Sequence, residues 1–362
     1  MELRSKEKLA WYSALCLILS YAEMLLPRFL PFLRLGLANS IILLSLGFDF
    51  SDFFLLLIFK SIAVSFISGT LFSPFFIISF LQSLFAGLLM YLMNKFLKRV
   101  FSVYGISIAG AGLSSVIQIF LAALYLGKEV YSVLWIMLIF SIFSGFITAL
   151  LSEKIFIRKE PPQIDLKCIK KSTEATKNNP YLSIIFIILI IILAFLTKNL
   201  IFLTLMLLIS LIFQLLFKRK LMLLPHLYLW LFIIILNLIN GEGKILFKAG
   251  FLTIYENSLL EGVSKAIKLS IVIAVSQGAV VLKPQSNSIL SLTLMYFYGL
   301  SVSFNSQKGN IIKKINSALH TDKLPVFNAK AEKNSNIRIL FFIELIIFAL
   351  LFFCDFYFRK IT

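Results

Sequence analysis

The stretch FFLLLIFKSIAVSFISGT, residues 53–70, decides what kind of protein this is. It is apolar over the length that a helix needs to cross the hydrocarbon core of a bilayer. Its single charge, Lys60, lies near the middle. A surface helix of a soluble protein would interrupt such a run with polar residues every turn. Residues 53–70 are therefore expected to form a membrane-spanning helix. A lysine at that depth costs about 3 kcal/mol unless it faces a cavity or a partner, although its stem lets the ammonium snorkel some distance.

The same pattern repeats in both directions. Leu9–Leu26 and Leu35–Gly47 precede it, the second being short enough to be tilted or partly interfacial. Phe75–Met93, Val103–Leu126 and Tyr131–Leu151 follow, which makes six spans in the first half. The whole chain is 60% hydrophobic and 14% charged, with mean hydropathy +0.96. A soluble domain carries about 25% charged residues, so this composition excludes one. The expected fold is all-α, a polytopic membrane protein of about ten to twelve helices. The first apolar run lacks a small-residue cleavage site and reads as a retained helix.

The net charge of +18 resembles that of a nucleic-acid binder, but the cations sit between apolar runs. That is the positive-inside pattern, and it excludes a nucleic-acid partner. With Arg4, Lys6 and Lys8 inside, six crossings place Lys95, Lys98 and Arg99 inside too. Lys154, Arg158, Lys159, Lys167, Lys170, Lys171 and Lys177 fall on that side as well. Arg28 and Arg34 are the outer exceptions.

A polar, lysine-rich segment with Pro161-Pro162 separates the halves, giving residues 1–157 as one membrane domain, 158–180 as a basic cytoplasmic linker and 181–362 as a second membrane domain. In the second domain Tyr181–Leu196, Leu200–Phe217, Leu221–Asn240, Val263–Leu282 and Ile339–Phe358 read as spans. Ile289–Phe304 is apolar but short, and Gly241–Glu261 is mixed, a re-entrant or surface segment. A cytoplasmic region is expected over about 284–338, where IIKKINSALH has an amphipathic pattern.

Little in the chain points to catalysis. Asp49 and Asp52 are not the dense acidic cluster that magnesium and a diphosphate require, and read as loop residues. There is no P-loop sequence, and His226 and His320 are too few for a histidine metal site or an assembled Ser-His-Asp set. Cys16, Cys168 and Cys354 show no disulfide or metal spacing. No metal site and no cofactor in the chain are expected.

The charges inside the spans are more informative. Lys60, Glu23 near the outer end of the first span, and Arg34 at the start of the second can together form a small polar pocket. Its balance would suit an anionic ligand; the alternative is a structural Lys60–Glu23 ion pair. Asn39, Gln82 and Gln118 are uncharged polar residues in apolar surroundings, either interhelical glue or ligand contacts. Ala10 and Ala14 share a helix face that admits close approach by another helix, and Gly105, Ala109, Gly110 and Gly112 mark a further close contact. Lys265, Lys268 and Glu344 read as structural.

Three segments carry a resemblance to a known family: RLGLANSIILL (Arg34–Leu44), SGTLFSP (Ser68–Pro74) and YGISIAGAGLSSVIQ (Tyr104–Gln118). Over about residues 5–155 the chain resembles the Gx transporter family, also labelled heptaprenyl diphosphate synthase component I. That family's fold is similar to the six-helix substrate-binding S components of energy-coupling-factor transporters. The resemblance implies a small-molecule site with a basic residue at Lys60, and carries Arg34, Glu23, Asn39 and Gln118 as expected substrate contacts. Ala10 and Ala14 fit the Ala-x-x-x-Ala pattern by which S components meet their T subunit. Ser114-Ser115 stands where the family has a His-Asn pair, a departure that bears on substrate choice.

The second half resembles the T component of the same transporters more loosely, through its order of spans and the segment GKILFKAGFLTIYENSLLEGVSKAIKLS (Gly243–Ser270). T components seat on ATPase subunits through short Ala-Arg-Ser or Ala-Arg-Gly motifs. None is present here, and Lys313 and Lys314 are the nearest substitute. The resemblance implies uptake of a small, anionic molecule at a bacterial cytoplasmic membrane, with ATP used by separate partner subunits. Two rival classes stand beside it: a membrane component of isoprenoid or quinone metabolism, and a non-catalytic assembly partner of a membrane electron-transfer system.

Overall fold

The computed structural model describes residues 2–24, 35–154, 181–217, 223–239, 244–249, 252–279, 289–306, 314 and 337–361. Of the expected site residues, Arg34 and Lys313 lie outside them, as do the whole 158–180 linker and most of the 284–338 region.

Apart from one β-hairpin, the described chain is helical. The first half contains α1 (Glu2–Met24), α2 (Asn39–Leu44) with a 3-10 turn at Ser45–Gly47, and α3 (Phe50–Ser68). It continues with α4 (Pro74–Phe96), α5 (Val103–Leu126), a 3-10 turn at Lys128–Val133, and α6 (Leu134–Lys154). The second half contains α7 (Tyr181–Leu196), α8 (Leu200–Leu216), α9 (Leu223–Ile239), strands β1 (Ile245–Ala249) and β2 (Leu252–Tyr255), α10 (Glu256–Ala279), α11 (Ile289–Ser306) and α12 (Ile337–Ile361). Among the described residues five helical segments are long and apolar enough to cross a bilayer: Phe50–Ser68, Pro74–Phe96, Val103–Leu126, Lys128–Lys154 and Arg338–Phe358. This is a multi-pass membrane protein.

Local chemistry sets the helix limits. Asp49 occupies the N-cap of α3 and Asp52 its first turn, where negative charge is favoured, so the two acids mark a helix start. Pro74 enters α4 at its first turn, where a missing N–H is harmless. Ser102 caps α5 by accepting the Gly105 N–H, and Asn199 caps α8 by accepting the Ile201 N–H.

The first six helices close into a ring: α1 packs on α3, α3 on α4, α4 on α5, α5 on α6, α6 on α2, and α2 on α1. Glycines permit the close approaches. A Cβ at Gly87 would lie 2.6 Å from Leu57 Cδ2, and one at Gly145 2.7 Å from Ile108 Cα. Gly110 sits against Met90, which locates the contact expected from GISIAGAG; at Gly112 the nearest atom to an added Cβ, Ser141 Oγ, is 3.9 Å away.

The short second span crosses the ring despite its length. Its first residues lie beside Glu23, where the Gly36 N–H donates to Glu23 Oε1 at 3.0 Å. Its last lie beside the start of α1, where Lys8 Nζ sits 4.1 Å from the Phe48 ring centroid. The α1 positions it links are separated by about 20 Å of helix rise. One end of the ring thus holds Lys8, Asn94, Lys95, Lys154 and the Tyr104–Glu153 hydrogen bond, and Asn94 donates to Leu46 O there. The opposite end holds Glu23, Gly36, the 69–73 loop and the end of α5.

The second half meets the ring in two ways. Helix α11 lies alongside α1, with Tyr296 edge-on to Trp11 and Phe297 and Phe304 edge-on to Tyr21. Ala10 and Ala14 are fully buried in the same cluster as Tyr296, Leu300 and Phe304, so this face of α1 is covered from within the chain. Lys314, beyond α11, places its ammonium 5.7 Å from the Phe304 ring.

Helix α10 behaves differently. Lys265 Nζ donates to Leu126 O at 2.9 Å, and the Phe72 N–H donates to Ser276 Oγ at 3.1 Å. Leu126 and Phe72 both belong to the end of the ring remote from the Lys95–Lys154 end. A helix stretch of about 16 Å therefore runs across that end and not alongside the ring. The helix over the span expected at Val263–Leu282 begins earlier, at Glu256. The Gly241–Glu261 segment is also revised: it contains an antiparallel hairpin, with Ala249 opposite Leu252 and Phe247 opposite Ile254.

Candidate functional site

Each of the six ring helices turns polar or small residues toward the middle. On α4 the positions are Ser79, Gln82, Ser83, Ala86, Gly87 and Met90, and on α5 they are Ala111, Ser114, Ser115 and Gln118. On α6 they are Met137, Phe140, Ser141 and Ser144. Spacings of three and four residues keep each set on one helix face. With Ser20 and Glu23 from α1, Asn39 and Ile42 from α2, and Lys60, Ser61 and Val64 from α3, they line one cavity of about 120 Å³.

The cavity brings together four of the five expected substrate contacts: Lys60, Glu23, Asn39 and Gln118. The fifth, Arg34, lies outside the described residues. Lys60 and Glu23 are each 8% exposed. Lys60 Nζ donates to Asn39 Oδ1 at 2.8 Å, reaching from α3 to α2 across the inner side of α1. The Glu23 carboxylate instead accepts the Gly36 N–H at 3.0 Å. The two charges thus take neutral partners on different atoms, and the structural ion pair left open by the sequence is not how either is held.

The backbone around Gly36 fixes this arrangement. Gly36 has φ +67°, a left-handed conformation that favours glycine, and an added Cβ would lie 3.0 Å from Asn39 Nδ2. Its carbonyl accepts the Asn39 N–H at 2.7 Å, and Ser144 Oγ donates to Leu35 O at 2.7 Å. The LGLAN turn therefore seats Asn39 beside Lys60 and ties α2 to α6.

Chemically, the cavity offers one ammonium, one carboxylate, amides and many hydroxyls, beside apolar walls from Ile42, Val64, Met90, Met137 and Phe140. Among the described residues no group of three or more His, Cys, Asp or Glu side chains is placed to hold a metal. Gln82, read from sequence as helix glue or a ligand contact, also lines the cavity, whereas the serines of α4 and α6 beside it were not singled out from sequence. Their helical spacing carried the signal, but serine is common in membrane helices as interhelical glue.

Residues 12–155 match the family model of heptaprenyl diphosphate synthase component I. The matched range runs from within α1 to the end of α6, so it is the helix ring and its cavity that resemble this family. Residues beyond 155, including α10 and α11, fall outside the match. No curated protein and no solved structure matches this chain. The cavity of the matched region is small for the name the family carries: an apolar cavity of about 150 Å³ holds one benzene, whereas a heptaprenyl chain is several times larger.

Proposed function

We propose that the ring is the substrate-binding part of a membrane uptake system, taking a small molecule with an anionic group at Lys60. The observation that carries this is the cavity inside the ring, with a lysine in mid-helix among its polar lining residues. An intramembrane cation beside a polar space is expensive unless something uses it. Asn39, Glu23, Gln118 and, from sequence, Arg34 complete the set of substrate contacts. The second half transmits motion from separate cytoplasmic ATPase subunits of the energy-coupling-factor kind, at a bacterial cytoplasmic membrane. One contact supports that role: α11 packs along α1, in the cluster that buries Ala10 and Ala14. The chain itself carries out no catalytic step and holds no cofactor; ATP is consumed by the partners.

Purification from native membranes in mild detergent tests the coupling. Nucleotide-binding subunits should co-purify, and the reconstituted complex should accumulate ligand only with ATP. Recovery of the chain alone, with ATP-independent ligand movement, would overturn the coupled reading while leaving the binding site intact.

The family description favours a second reading, a membrane component of isoprenoid metabolism. Incubating the pure protein with prenyl diphosphates and magnesium separates the two, because chain elongation would require a site of far larger volume.

A further inference from the structure

The charges that line the cavity are of both signs. Among the described lining residues Lys60 is the cation and Glu23 the anion; the others are neutral. They stand on adjacent helices, α3 and α1, and neither is spent on the other. An ammonium has three donors, and Lys60 gives one to Asn39. A carboxylate has two oxygens, and in Glu23 the Gly36 N–H occupies Oε1.

This pattern restricts the ligand beyond an anionic group. A simple anion seated on Lys60 would share the cavity with the Glu23 carboxylate in a medium that screens poorly. A simple cation would meet Lys60 in the same way. A molecule carrying both signs answers both groups and leaves no buried charge without a counterpart. The volume of about 120 Å³ is below that of a benzene-sized cavity, so little room remains for a side chain. Across the ring from α2, Gln82 Oε1 and Ser83 Oγ on α4 have no hydrogen-bond partner, and such a wall favours a polar or minimal substituent.

We propose that the ligand is a compact zwitterion of the amino-acid class, its carboxylate at Lys60 and its ammonium at Glu23. This rests on the reading that the ring binds a ligand through an anionic group, and it adds the second, positive group.

Matched probes test it on the full chain in detergent, by calorimetry and thermal shift. Glycine, alanine and serine are compared with glycolate, lactate and glycerate, which replace the ammonium by hydroxyl, and with methylamine, ethylamine and ethanolamine, which lack the carboxylate. At least one amino acid should bind about tenfold or more tighter than both of its analogues. Glu23→Gln keeps an acceptor for the Gly36 N–H, so the fold is retained. It should weaken the amino acid roughly thirtyfold while leaving its hydroxy acid equal or tighter.

Hydroxy acids that bind wild type as tightly as the amino acids would overturn the zwitterion and leave the anion site standing. Binding of the amines alone, or of none of the nine probes, would overturn both.

Discussion

Lys60 and Glu344 are both charges within apolar helices, and the two halves of the molecule house them differently. Lys60 hydrogen-bonds a neutral amide and lines a polar cavity. Glu344, on α12, is 1% exposed, and neither carboxylate oxygen has a hydrogen-bond partner. Its flanking residues Phe341, Leu345 and Phe348 belong to the packed cluster shared with α7, α8 and α10. Lys265 is a third case, held by Leu126 O, by Asn237 Oδ1 at 3.1 Å and by Glu261 at 2.8 Å. A charge in a membrane helix thus points to a ligand only where it adjoins open polar space; elsewhere it serves or burdens the packing.

Substitutions can break this contrast. The largest effect is expected at Lys60→Met, which should cut ligand affinity about a hundredfold or more, while unliganded thermal stability changes little. Gly69→Val attacks the junction of the halves. Gly69 has φ +68°, and an added Cβ would lie 2.6 Å from Gln277 Cγ, so about 2–3 kcal/mol of stability should be lost in denaturant titration. Lys265→Met strands the Asn237 amide and the Leu126 carbonyl, and should cost about 1–3 kcal/mol without abolishing ligand binding. The smallest change, of opposite sign, is expected at Glu344→Leu: a gain of about 1 kcal/mol, with binding intact. A loss of ligand binding in Glu344→Leu equal to that in Lys60→Met would erase the distinction.

Much of the architecture was legible in the chain, because hydropathy reports span length directly. Val103–Leu126 and Tyr181–Leu196 match their helices residue for residue. The short second span was also visible, and Phe48 beside Lys8 accounts for how so few residues suffice. What hydropathy does not carry is which helix packs against which. The course of α10 is set by contacts such as Phe72 with Ser276, made between residues far apart in sequence, and no local pattern encodes them.

The hairpin was missed for a different reason. Ile245, Phe247 and Ala249 alternate with period two, but the charges and glycines around them resemble a membrane-surface segment. In the cavity, the charged residues could be found because charge is rare in lipid. The serines could not, because hydroxyls serve equally well as helix contacts.

The central claim, that the ring cavity holds a small polar ligand through Lys60, is tested most directly by mass spectrometry of what the gently purified protein retains. Wild type should release a compact ammonium carboxylate on denaturation, near one per chain, and Lys60→Met should release none. A prenyl diphosphate recovered equally from both proteins would contradict the account.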